Sequence, residues 1–172
     1  QGFWNQGSEL SETTTLFALD PEVAPFVQDF EGDFLWAADS PWAVTQAAQN
    51  EAGHSAPGAW EDSPLGSDQA NYADNTSRLL VGEMDFSGVQ RPVLRFNHRY
   101  NFQAGDFGYV EFSTDSNVWI RIAEYTGAQG QWSQEEIDLS DQGRKSAVFL
   151  RFWLISNFSE TGDGWNIDDV EV

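Results

Sequence analysis

From Phe26 onward, apolar and polar positions alternate in short runs, and each run stops at a turn signal. In Val93–Asn101, the residues Leu94, Phe96, His98 and Tyr100 share one face, while Arg95, Asn97 and Arg99 share the other. Successive side chains of a strand point to opposite sides, so this is strand periodicity. In Gly108–Thr114, Val110 and Phe112 alternate with Tyr109 and Glu111. The same reading predicts strands at Phe26–Glu31, Trp42–Gln46, Ser77–Met84, Trp119–Glu124, Trp132–Asp138, Ala147–Ser156 and Gly164–Val172. Between them lie Gly32-Asp33, Ser87-Gly88, Gly105-Asp106, Asp115-Ser116-Asn117, Gly127, Asp141-Gln142-Gly143 and Gly162-Asp163, all of turn composition. No long stretch keeps a 3.6-residue period. This spacing predicts an all-β chain, an antiparallel β-sandwich of jelly-roll type.

Two regions break the pattern. Residues 1–25 have no clean period; Thr13–Leu19 reads as one strand, and Pro21 and Pro25 stop its continuation. They are assigned to an arm or linker, with the sandwich at 26–172. The stretch Ala47–Thr76 is rich in Gly, Pro, Ser, Asp and Asn and reads as one long loop, a kind that is usually functional or disordered. Its acids Glu61, Asp62, Asp68 and Asp74 make it a contributor to a cation or ligand site. Ala147–Ser156 is apolar on both faces, so its second face, with Phe149, Trp153 and Ile155, calls for a cover: the arm, another domain or a ligand.

Length and composition narrow the function. At 172 residues, with 13 Phe and 8 Trp, the chain can bury a full core in one domain. There is no cysteine, which excludes disulfide frameworks and thiolate metal sites. The net charge of −20, from 28 acidic and 8 basic residues, argues against nucleic acid and anionic membranes. No apolar run is long enough for membrane insertion. An acidic surface that keeps the chain soluble accounts for most of these charges. The start at Gln1 and the finish on a strand predict a module of a longer protein.

Three kinds of chemistry remain. The opening strand carries Asp29 and Glu31 on one face, and the closing strand carries Asp168 and Asp169 on opposite faces, with Asp169 the favoured ligand. Calcium takes six to eight oxygen ligands, mainly carboxylates and carbonyls. From the residues alone, these acids fit a calcium corner and a set of exposed strand-end charges equally well. Arg95, Asn97, Arg99, Tyr109, Glu111, Arg151 and Trp153 are predicted to lie together on one outward sheet face. Rings beside hydrogen-bonding side chains suit sugars, whose apolar ring face stacks while their hydroxyls find polar partners. A structural salt-bridge lattice is the plain alternative. Catalysis has little support. Gly53-His54-Ser55-Ala56-Pro57 has Pro57 where a nucleophile elbow needs glycine, and His98 alternates with core residues. Glu111 with Glu124 is a possible glycosidase pair only in the weak sense that many acids are available.

The run Leu94–Tyr100, then Gly105–Asp115, Tyr125-Thr126-Gly127, Leu150-Arg151-Phe152 and Gly164–Val170 resembles MAM-like jelly-roll domains of bacterial secreted proteins, including C-terminal modules of immune-inhibitor-A-type metallopeptidases. The resemblance covers about 26–172 and is also concanavalin-like in architecture. It implies an acidic opening motif at Asp29-Phe30-Glu31, a closing motif at Ile167-Asp168-Asp169-Val170, and loop acids at Asp62 and Asp74. It further implies a structural calcium ion and a secreted or cell-surface location. The implied role is non-catalytic: an accessory module that binds carbohydrate or a protein surface, or one that packs on a catalytic domain of the same chain. Animal MAM domains carry cysteines, and this chain follows the bacterial branch.

Overall fold

The computed structural model describes residues 22–31, 36–39, 41–46, 53–55, 57–64 and 71–172. Its strands are β1 (Glu22–Val23), β2 (Val27–Gln28), β3 (Ala37–Ala38), β4 (Ala43–Gln46), β5 (Gly58–Glu61), β6 (Ser77–Asp85), β7 (Val93–Asn101), β8 (Phe107–Ser113), β9 (Ile120–Tyr125), β10 (Ala128–Asp138), β11 (Val148–Ile155) and β12 (Gly164–Glu171). The first sheet has the order β1-β6-β11-β8-β9, with β3 also paired to β6. The second has the order β10-β7-β12-β5-β4, with β2 paired to β12. All pairs are antiparallel except β1 with β6. From β9 on, the chain changes sheet at every strand, which gives the jelly-roll sandwich its two layers. Among the described residues the helical element is a short 3-10 turn at Ser140–Gln142.

The inward faces are those the alternation predicts. Leu94, Phe96 and His98 of β7 and Leu150, Phe152 and Leu154 of β11 are buried. Phe152 meets Phe96 at 5.1 Å and Trp165 at 5.5 Å, both edge-on, so rings from the two sheets interlock. Each such side chain contributes roughly 1.5–3 kcal/mol by leaving water. A Cβ on Gly108 would lie 2.8 Å from the Trp165 ring, so only glycine lets β8 pass this indole.

The predicted arm and loop are partly built into the sandwich. Glu22 and Val23 add to the edge of β6, and Ala24 is buried. The predicted strand Thr13–Leu19 lies outside the described residues. Inside the stretch read as a loop, Gly58–Glu61 forms β5, fully buried between β4 and β12. Four residues buried on both sides show no alternation, which is why the pattern does not reveal them.

The opening strand pairs with the closing one as expected: Gln28 faces Val170, and Phe26 and Val172 exchange backbone hydrogen bonds of 3.1 Å. It is shorter than predicted. Phe30 is left-handed at φ 57°, and Asp29 Oδ1 accepts from the Glu31 backbone N–H at 3.1 Å. The segment therefore turns after Gln28, and Asp29 and Glu31 do not share a strand face.

Candidate functional site

The outward face of the first sheet is a lattice of rings and guanidinium groups. Register sets Trp153 of β11 beside Tyr109 of β8, Arg151 beside Glu111, and Ile155 beside Phe107. Phe107 and Tyr109 stack at 5.6 Å with planes 9° apart, and Trp153 lies 5.6 Å from Tyr109. The Arg151 guanidinium sits 4.2 Å from the Trp119 ring and 4.9 Å from the Trp153 ring. The Arg121 guanidinium lies 3.5 Å above Tyr109. Phe107, Tyr109, Trp119 and Trp153 are all half-buried, so each ring keeps a surface toward solvent.

The described cations of this face, Arg121 and Arg151, are already paired with carboxylates. Arg151 donates from Nε and Nη2 to Glu111 Oε2, at 2.8 Å and 2.6 Å. Arg121 places Nε 3.5 Å from Glu111 Oε1 and donates from Nη1 to Glu124 at 3.0 Å. Glu111 is 5% exposed, so this pairing is sheltered from water. Glu83, register partner of Phe149, has its carboxyl pushed up by burial. Glu111 and Glu124 bind one guanidinium between them, so the pair considered for glycoside hydrolysis is tied up in ion pairs.

The seven residues predicted to share one face divide between the two sheets. Tyr109, Glu111, Arg151 and Trp153 are on the first; Arg95, Asn97 and Arg99 project from β7, in the second. A two-residue period assigns a face within a strand, but it does not say which sheet the strand joins. On the second sheet, Arg95 donates to Glu136 at 2.7 Å and to Glu171 at 3.3 Å. Arg99 lies 5.4 Å from the Trp132 ring centre.

The acids also separate. In β12 the pairing with β7 slips between Asp168 and Glu171, and Asp169 is left-handed at φ 48°. This bulge brings both carboxylates to one side, correcting the expectation that they point apart. Ser55 is their shared partner: its N–H donates to Asp168 Oδ2 at 3.0 Å and its Oγ to Asp169 Oδ1 at 2.7 Å. His54 Nδ1 lies 2.6 Å from Asp169 Oδ2, and Asn97 Nδ2 donates to the same oxygen at 3.2 Å. Residues 53–55 thus form a strap held over the second sheet. Asp168 is fully buried, and burial pushes its carboxyl up to about 7, with the Asp169 charge acting in the same direction.

The other four predicted ligands lie apart from this pair in their bonding. Glu31 Oε1 accepts from the Gly58 N–H at 2.8 Å. Asp62 is buried and accepts from the Trp165 N–H at 2.7 Å; Gly164, at φ 100°, leaves the space that carboxylate fills. Asp29 and Asp74 are exposed. Among the described residues, no three His, Asp or Glu side chains form a group that could hold a metal ion. His98 is an interior histidine: Trp165 Nε1 donates to its Nδ1 at 3.2 Å, and burial pulls its pKa down to about 4. Trp60 and Tyr72 belong to the core.

Sequence reasoning missed Phe107 and Arg121. Both signals were present: Phe107 continues the alternation of Tyr109 and Glu111, and Arg121 shares a face with Trp119 in the two-residue period. In the sequence Ser55 reads only as a candidate nucleophile, and its bonding role carries no sequence signal.

No family model matches the chain. Over 107 residues it is 31% identical to Bacillopeptidase F of Bacillus subtilis (strain 168), a match that covers 58% of this chain and 7% of that protein. Among solved structures it is similar to the K2 cleaved adhesin domain of Lys-gingipain, with TM-score 0.58, 13% identity, and coverage of 86% of this chain and 97% of that one. It is also similar to a family 11 carbohydrate-binding module of Clostridium thermocellum, solved with a β-1,3-1,4-mixed-linked tetrasaccharide. There the TM-score is 0.54, the identity 13%, and the coverage 83% and 91%. The xylan-binding domain from CBM 22 gives TM-score 0.52 and 11% identity over 85% of this chain and 91% of that one. At these identities the likeness establishes the β-sandwich fold. No helix among the described residues is long and apolar enough to cross a membrane.

Proposed function

We propose that this chain is a non-catalytic binding module of an exported protein, and that the outward face of its first sheet takes a glycan chain. The observation that carries this reading is the ring lattice of Phe107, Tyr109, Trp153 and Trp119, fixed by Arg121, Arg151 and Glu111. Half-exposed rings offer stacking surface for the apolar face of a pyranose, and the guanidinium and carboxylate edges offer partners for its hydroxyls. The rings are locked before a ligand arrives, so little side-chain freedom is lost on binding. The likeness to a family 11 carbohydrate-binding module and to a xylan-binding domain supports the same reading. The small share of Bacillopeptidase F that the match covers supports a module within a longer chain.

A structural calcium ion belongs to the proposal. Asp168 and Asp169 would hold it, since the bulge brings both to one side, and a hard cation suits oxygen donors. With two carboxylates converging there, most of its shell would come from carbonyls and water. The ion's part would be to neutralise the buried Asp168 carboxylate and its partly exposed neighbour Asp169.

The test is retention of the purified module on a panel of soluble polysaccharides, with calcium and with chelator, for the wild type and for Tyr109→Ala and Trp153→Ala. Retention by one polymer that both substitutions weaken supports the reading. No retention by any polymer sinks it, and favours the same face as a packing surface, through Phe149, Trp153 and Ile155, for a catalytic domain of the same chain.

A further inference from the structure

The four rings of the first sheet lie across two neighbouring strands and the adjoining turn, with contacts of 5.6 Å between Phe107, Tyr109 and Trp153 and with Arg151 bridging Trp153 to Trp119. They form a half-exposed row on the outward face of the sheet. Such a row suits several consecutive sugar units of a chain interior.

The charges on that row decide what kind of chain fits. Among the described residues, two cations face it, Arg121 and Arg151, and the register places three carboxylates among them: Glu83, Glu111 and Glu124. Arg151 spends Nε and Nη2 on Glu111, and Arg121 is shared between Glu111 and Glu124. Among the described residues, a sugar carboxylate or sulfate therefore meets cations that are already paired with carboxylates. To gain one it must displace Glu111, whose own carboxylate would then be left buried without its partners. The chain as a whole, at −20, adds a repulsive field for any polyanion.

We infer that the ring face selects uncharged glycan chains, bound along their length, and rejects chains carrying uronate, carboxymethyl or sulfate groups. This rests on the proposed glycan reading of the same face and adds the chemical class of the ligand. Glu111 and Glu124 are its specificity-determining residues: they fix the guanidinium groups in use and keep them from recruiting anions.

The test compares hydroxyethyl cellulose, xylan and mixed-linkage β-glucan, each in neutral and carboxymethylated form, by affinity electrophoresis of the intact module. The neutral form of the retaining polymer is expected to hold the module at least about tenfold better than its carboxymethylated form at low salt, as like-charge juxtaposition demands. Glu124→Gln, an exposed substitution expected to leave folding intact, removes one of the two carboxylates that share Arg121. It should raise retention by the carboxymethylated form about threefold, on the scale of one screened surface charge. Glu111→Gln should raise it further if a thermal melt shows the variant folded. Equal or better retention of the carboxymethylated form by the wild type overturns the inference and leaves the glycan reading standing. Discrimination that salt erases but Glu124→Gln does not change overturns the role of this face's ion pairs. Failure of every polymer, neutral and charged, removes both the glycan reading and this inference.

Discussion

The two outward faces of the sandwich carry similar residue types and use them differently. On the first sheet, Arg121, Arg151 and Glu111 lie among rings that remain half-exposed. On the second, Asn97, Asp168 and Asp169 lie under the strap of residues 53–55, and Asp168 is fully buried. One face pairs its charges with each other and leaves ring surface half-exposed beside them; the other covers its polar groups with a strap of its own chain. Polar and charged residues on a strand face do not by themselves mark a site. What marks it is whether the remaining surface is open.

The comparison can be broken most forcefully on the closed face. Asp168→Ala leaves the Ser55 and Asp169 N–H groups without their acceptor, which should cost about 3 kcal/mol. Denaturant unfolding measures this, and protein that remains folded should keep its polysaccharide retention. Unchanged stability would mean the strap is not held by this carboxylate.

Acid acts on the same half of the molecule from its inner side. Burial holds His98 neutral to about 4, against an ordinary 6.5. The unfolded chain takes up a proton in that window and the native protein does not. Stability from this group is therefore intact above about pH 6.5 and lost as pH falls toward 4, by about 3 kcal/mol in total. An NMR titration should show the His98 ring unprotonated at pH 5, and His98→Gln should flatten this part of the acid limb.

On the open face the expected pattern reverses. Trp153→Ala should weaken glycan retention about tenfold, equivalent to about 1.4 kcal/mol, while changing stability by a comparable or smaller amount. Loss of stability without loss of retention would turn the ring lattice into a packing device. Asp169→Ala gives a smaller, conditional effect: its melting temperature should fall relative to wild type in calcium and much less in chelator. Equal losses in both conditions would remove the calcium proposal. The smallest effect belongs to Arg95→Ala, whose partner Glu136 is solvent-exposed and whose partner Glu171 is half-buried; about 0.5 kcal/mol or less is expected, with retention unchanged.

Much of the sandwich was legible because its strands alternate cleanly between turn residues. Leu94, Phe96 and His98 point inward as read, and Gly105-Asp106 and Gly127 fall between the strands they were expected to separate. What stayed hidden was set by partners distant in sequence. Gly58–Glu61 looks like loop because both its sides are buried. Asp169 looks like an ordinary strand residue, and its left-handed backbone reflects a pairing slip with β7. The division of Arg95, Asn97 and Arg99 from Tyr109, Glu111, Arg151 and Trp153 follows from strand order, which alternation does not encode. The ring lattice was half visible: its rings were identifiable as outward, while their mutual distances needed the register.

The bulge at Asp169 also bears on how the chain is made. It joins Ser55 to Asp168 and Asp169 across sequence separations of 113 and 114 residues. Contacts that close so long a loop are assembled late, because the entropy of closure precedes any reward. During synthesis, β4, β5 and the strap emerge well before β12, and they have no partner for their inner edge until it arrives. The second sheet can therefore close only once β12 lies between β7 and β5, where its carboxylates also hold the strap.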